Sequence, residues 1–213
     1  MIKDLDAGVD GANIIILFDF PNPDVRRTGN MLGGRSGYAL HQLLNQANIP
    51  VNNVLVTYCH EYFDNKKLMN TKGVLTQLGA DTKSQVINRL STLAGNIVVP
   101  VGPFACAVTT GDHRLKFNRG SLTYNIELNK KVLPTFTPTS VAFVPADRLM
   151  CIWDLHKARA NSARSDYKAP ERTMHIDPTL TEVEKFLEYC KMSDNPTVAV
   201  DIETLNGAVF CIG

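Results

Sequence analysis

The sequence predicts an α/β domain with a largely parallel sheet. Three observations carry this: apolar β-type runs alternate with helical-period segments over the first 160 residues, a polar stretch interrupts that alternation, and a helix and hairpin pattern follows.

Taken in order, NIIILFDF (13–20) reads as a buried strand, as do NNVLVTYC (52–59) and NIVVPVG (96–102). Between them, one helical face collects Leu40, Leu43, Leu44 and Ala47, and another collects Val86, Leu90 and Leu93 before a glycine. Both are crossover helices. A short helix is expected over 103–109, ended by Gly111. GSLTYNIELNKKVLPTF then reads as two strands around Asn129 and Lys130, and PADRLMCIWDLHKARANSAR as a helix opened by proline. Residues 161–176 are polar and lack an apolar period, which marks a linker between a first domain, 1–160, and a second part, 177–213. That second part predicts a helix with Leu180, Val183, Leu187 and Cys190 inward. A hairpin of strands 197–202 and 207–212 then turns at Asn206-Gly207.

Composition bounds the class without naming a function. With 213 residues, 44% apolar and 20% charged, the chain is neither a disordered nor a membrane sequence. Its longest apolar run, Ile14 to Phe18, is too short for a bilayer, and the amino terminus lacks the basic and apolar stretch of a signal peptide. A cytoplasmic location is expected, the host's if the protein is viral. The five cysteines are scattered singly and read as reduced thiols, mostly core, with no zinc spacing among them. Residues 173–213 carry seven acids against two lysines, so they hold −5 and leave +6 for residues 1–172. Such a balance permits a nucleic-acid partner without requiring one.

Between the first strand and its helix lies a proline- and glycine-rich loop with Arg26, Arg27, Arg35 and Ser36. An α/β sheet binds anions at such a place, because free backbone amides and a helix dipole converge there. By spacing alone the loop reads more readily as structural, with solvated arginines.

The stretch from Phe18 to Gly37 resembles the first motif of family-4-type uracil-DNA glycosylases at Pro21, Gly29, Gly34 and Gly37. The likeness continues in order through NNVLVTYCHEY, NIVVPVGPFACAVTTG, the Arg119-Gly120 turn and VLPTFTPTSVAFVPADRLMCIWDLHKA, covering about residues 13 to 160. It implies a three-layer α/β/α fold around a central, mainly parallel four-stranded sheet. It also places Asp19, Tyr58 and Thr137 where the family has a water-positioning acid, a uracil-reading Asn and an anion-stabilising His. Tyr58 cannot present the paired amide donor and acceptor, and its ring is expected to fill the base pocket. Thr137 offers a neutral hydroxyl where a stronger donor is expected, a loss that typically costs about 3–4 kcal/mol. The family's iron–sulfur cysteines have no counterparts, so no cluster is expected. DNA contacts are expected from Arg26, Arg27, Arg35, Ser36 and Arg119.

TVAVDIETLNGAVFCIG is similar to the first motif of DEDD-type 3′–5′ exonucleases, in which an Asp and a Glu on one strand face bind two divalent metals. The resemblance assigns that role to Asp201 and Glu203, with Mg²⁺ or Mn²⁺ bound only in a complete exonuclease domain. Together the two likenesses suggest the N-terminal part of a phage family A DNA polymerase, cut inside its exonuclease. DNA and other replication proteins are the expected partners, and a membrane is not. The favoured expectation is a glycosylase-fold module without uracil excision. Two alternatives remain open: an active glycosylase of altered specificity using Asp19 and Thr137, and a docking module that touches no DNA.

Overall fold

The computed structural model describes residues 6–8, 11–30, 32–61, 65–142, 144–169, 176–194, 202–205 and 208–212, and the chain divides into two compact units, Met1–Tyr167 and Lys168–Gly213.

In the first unit the strands β1 (Asp6–Gly8), β2 (Ile14–Phe18), β3 (Val54–Tyr58), β4 (Ile97–Val101), β5 (Thr123–Asn125) and β6 (Lys130–Val132) form one sheet in the order β1-β3-β2-β4-β6-β5. The four inner strands run parallel, as expected, and β1 and β5 add an antiparallel strand at each edge. The sheet is therefore wider than the four strands that the sequence suggested. β5 and β6 are the two strands read from GSLTYNIELNKKVLPTF, whereas the three residues of β1 carry too short a pattern to register as a strand.

Side-chain alternation explains the layers. Ile14 and Ile16 enter one apolar core with Val54, Val56, Val99 and the helical Leu43. Ile15 and Leu17 enter the other with Leu55, Val98 and the helical Leu90. Strands buried on both faces read as continuous apolar runs. On the first face lie α2 (Gly34–Gln46) and α7 (Pro145–Ser162), and on the second α4 (Gln77–Thr92) and α5 (Pro103–Thr110). The short helices α1 (Pro23–Thr28), α3 (Asn65–Leu68) and α6 (Leu115–Asn118) occupy connections. This is a three-layer α/β/α arrangement.

The expected linker begins later than its polarity implies. Helix α7 runs to Ser162, and the Lys131 ammonium donates to the carbonyls of Arg164 and Asp166. Tyr167 stacks on Tyr124 with ring centroids 5.6 Å apart. Residues up to 167 thus belong to the first unit, tied by backbone acceptors and one ring that a composition count does not see.

The second unit contains α8 (Leu180–Met192), opened by a capping box between Thr179 and Glu182, and a two-stranded sheet of β7 (Ile202–Leu205) and β8 (Ala208–Ile212). The pair is antiparallel with an irregularity between Glu203 and Thr204. The hairpin is present, its first strand running on to Leu205 where an end at 202 was expected, while Asn206 and Gly207 lie outside the described residues, as do 195–201. Of the residues expected to face inward, Leu180, Val183 and Leu187 are exposed and Cys190 is half-buried.

Candidate functional site

At the carboxyl end of β2 the chain passes from Phe18 into Asp19, which is buried. Both oxygens of its carboxylate are engaged: Ala105 donates its backbone N–H at 2.7 Å and Phe104 at 3.3 Å. These are first-turn amides of α5, which starts with Pro103 and whose own cap position, Gly102, has no side chain. Asp19 therefore caps α5 from the neighbouring strand, satisfying orphan donors and placing negative charge at the positive end of the helix. Gly102 sits at φ +145°, and a Cβ there would overlap the Asp19 carboxylate. Only glycine fits both demands.

Asp19 is also part of the wall of a cavity of about 230 Å³ at the ends of β2, β3 and β4, together with Asn22, Ser36, Tyr58, Thr137 and Thr139. The carboxyl ends of parallel strands are where α/β sheets bind ligands. All three glycosylase-like positions, Asp19, Tyr58 and Thr137, thus meet in one cavity, with Ser36 beside them. Tyr58 is buried and stacks on Phe18, its cross-strand neighbour in the parallel register, at a centroid distance of 5.6 Å. Burial pushes its hydroxyl up to about 12, so it remains a neutral phenol. Thr137 is half-buried, and its carbonyl accepts the Ser140 N–H at 3.0 Å and the Ser140 hydroxyl at 2.8 Å.

The basic residues separate into two groups. Arg26 and Arg27 lie exposed in the last turn of α1, where Arg27 pairs with Asp24 at 3.3 Å on the surface. Such a pair is weak, so Arg27 can exchange partners readily. Arg35 is exposed at the start of α2 and lines a smaller cavity of about 220 Å³ with Asn22, Asp24, Ser36 and Thr139. Arg119 is different. Its guanidinium donates to both oxygens of Asp154, and it lies over the Phe136 ring at 5.6 Å. Its charge is spent inside the fold.

Asp201 lies outside the described residues, and of Glu203 only the backbone in β7 is described, paired with Cys211. Among the described residues no three His, Cys, Asp or Glu side chains stand together as a metal site. Cys59, Cys106 and Cys151 are free and buried. No described helix is long and apolar enough to cross a membrane.

Sequence reasoning missed Asn22 and α1, having read this segment as loop. The signal was there: Asn22 accepts the Val25 N–H at 2.9 Å as N-cap, Pro23 takes the first helical position and Gly29 closes the helix at φ +70°. Asn22 also donates to the Gly33 carbonyl at 3.4 Å, tying α1 to the entrance of α2.

No known protein-family model matches the chain, and no curated protein sequence matches it. The glycosylase and exonuclease likenesses therefore rest on the sequence motifs alone.

Proposed function

We propose that the first domain is a glycosylase-fold module that contacts DNA without excising uracil. It would form the N-terminal part of a phage-type DNA polymerase whose proofreading exonuclease begins in the second unit. The observation that carries the first half is the setting of Asp19: each of its oxygens accepts an α5 amide, which makes it the cap of that helix, in a cavity that the Tyr58 ring helps to wall. A water-activating base needs a lone pair aimed at water, and base reading needs a donor and acceptor side by side. The cavity supplies a capping carboxylate and a neutral phenol instead. DNA contact is supported by Arg35 and Ser36, which line the smaller cavity, and by the exposed Arg26 and Arg27 of α1, since exposed guanidinia meet phosphates without reading sequence.

Binding of a labelled oligonucleotide at increasing salt tests this reading. Affinity should fall linearly in log–log form, with a slope of about −0.7 per neutralised phosphate on single strands. Changing Arg26→Ala together with Arg35→Ala should flatten that slope. Salt-independent binding, or a slope untouched by the double change, would refute it. For the second half, primer degradation by a chain continued past residue 213 should be lost with Asp201→Ala and Glu203→Ala. Undiminished degradation would remove these acids from any metal site.

The alternative of an active glycosylase with altered specificity draws on the same cavity, because Asp19 and Thr137 both line it.

A further inference from the structure

The cavity does not end at Ser36. It shares Asn22, Ser36 and Thr139 with the smaller cavity, which in turn shares Arg35 with a groove of about 350 Å³ between α2 and the Pro138–Val141 corner before α7. The three depressions form one track across the start of α2.

The groove has a distinct chemistry. Its floor is apolar, from the buried Leu43, Val141 and Pro138. Tyr38 forms a wall with 68% of its surface exposed, and its hydroxyl accepts a hydrogen bond from the Gln42 amide at 2.8 Å, which holds the ring. Arg35 and Arg148 also line the groove, and no Asp or Glu does. Among the described residues neither guanidinium is paired with a carboxylate; Arg148 spends only its Nε, on Gln46 at 3.2 Å.

We propose that this groove is a subsite for single-stranded nucleic acid, in which an unpaired base stacks on Tyr38 and flanking phosphates meet Arg35 and Arg148. The inference rests on the DNA-contact reading above and adds to it a strand preference and two residues, Tyr38 and Arg148, that no motif pointed to. The physical case is complementarity. A nucleotide offers a flat apolar face with anions on either side, and the groove offers an apolar floor, one exposed ring and two cations. Aromatic stacking tolerates any base, because every base has a π-face. A duplex keeps its bases stacked inside, and extruding one costs a few kcal/mol, so the groove favours strands already unpaired. Continuity with the cavity mouth favours a nucleic-acid strand over an acidic peptide, since one strand can lie along all three depressions.

The test compares binding of the 213-residue chain to three probes: a short oligothymidylate, its duplex, and an abasic strand of equal length. Tyr38→Ala, Tyr38→Phe and Arg148→Ala variants accompany it. Tyr38 is exposed, so an unchanged melting temperature should certify that each variant is folded. The expected result is preference for the base-bearing strand over both the abasic strand and the duplex, by roughly tenfold. Tyr38→Ala should abolish the preference over the abasic strand, Tyr38→Phe should restore it, and Arg148→Ala should weaken both strands alike. Equal binding of base-bearing and abasic strands, tighter binding of the duplex, or an unaffected Tyr38→Ala variant overturns the inference and leaves the DNA-contact reading standing. If no probe binds, both fall.

Discussion

Arg119 and Asp154 form a bidentate ion pair, with Nε to Oδ2 at 3.1 Å and Nη2 to Oδ1 at 2.8 Å, and the Asp154 side chain is only 4% exposed. The Thr135 hydroxyl donates to the same Oδ2 at 2.8 Å, so β6's exit, α6 and α7 are joined at one carboxylate. Changing Arg119→Ala leaves that carboxylate buried without its cation. Removing one partner of a buried pair destabilises by about 3–5 kcal/mol. Chemical denaturation should show a loss of this order, with DNA affinity of the folded fraction unchanged. A stable variant with weakened binding would instead make Arg119 a phosphate contact.

Asp19 should prove structural in the same way. Changing Asp19→Ala leaves the Phe104 and Ala105 amides without their acceptor, and losing a helix cap costs about 0.5–2 kcal/mol. Gly102→Ala should also destabilise, since it places a Cβ in the same carboxylate at a backbone angle that only glycine tolerates. Thermal melts of both variants check this. An Asp19→Ala chain as stable as the parent would leave the carboxylate idle in the fold.

Alkaline pH should weaken the fold through buried acids. Burial raises the Cys106 thiol from its ordinary 9.0 to about 11. The unfolded chain loses this proton first, so the stability the thiol contributes is complete below pH 9.0 and is lost as pH climbs toward about 11. Lys130 and Lys131, lowered by burial, act in the opposite direction. The readout is therefore the difference between the parent chain and Cys106→Ala. The parent should lose stability faster across this window, by at most about 1.4 kcal/mol per pH unit. Parallel curves would show that Cys106 does not titrate across unfolding.

What the sequence disclosed followed the strength of its periods. The runs at β2, β3 and β4 are apolar on both faces and could only be central strands, and Pro103, Gly111 and Pro145 mark helix ends by their backbone chemistry. The edge strand β1 was illegible, because three residues ending in glycine show no alternation. At the site, motif order brought Asp19, Tyr58, Thr137 and Ser36 to one cavity. It could not disclose that Asp19 caps α5, since 85 residues separate it from Phe104, nor that Arg119 is spent on Asp154. Tyr38 and Arg148 were silent for the same reason: they share a groove only through the crossing of α2 and the start of α7.

The central claim is a DNA-contacting module that has lost uracil excision, and release of free uracil tests it most directly. The substrate is a uracil-containing single strand, held at a protein concentration that saturates binding. Asp19 is committed to α5, Tyr58 is a neutral buried phenol and Thr137 carries no imidazole, so uracil release should not exceed the protein-free control. Turnover above that control, abolished by Asp19→Ala in a chain that remains folded, would contradict the account and make the cavity an active site.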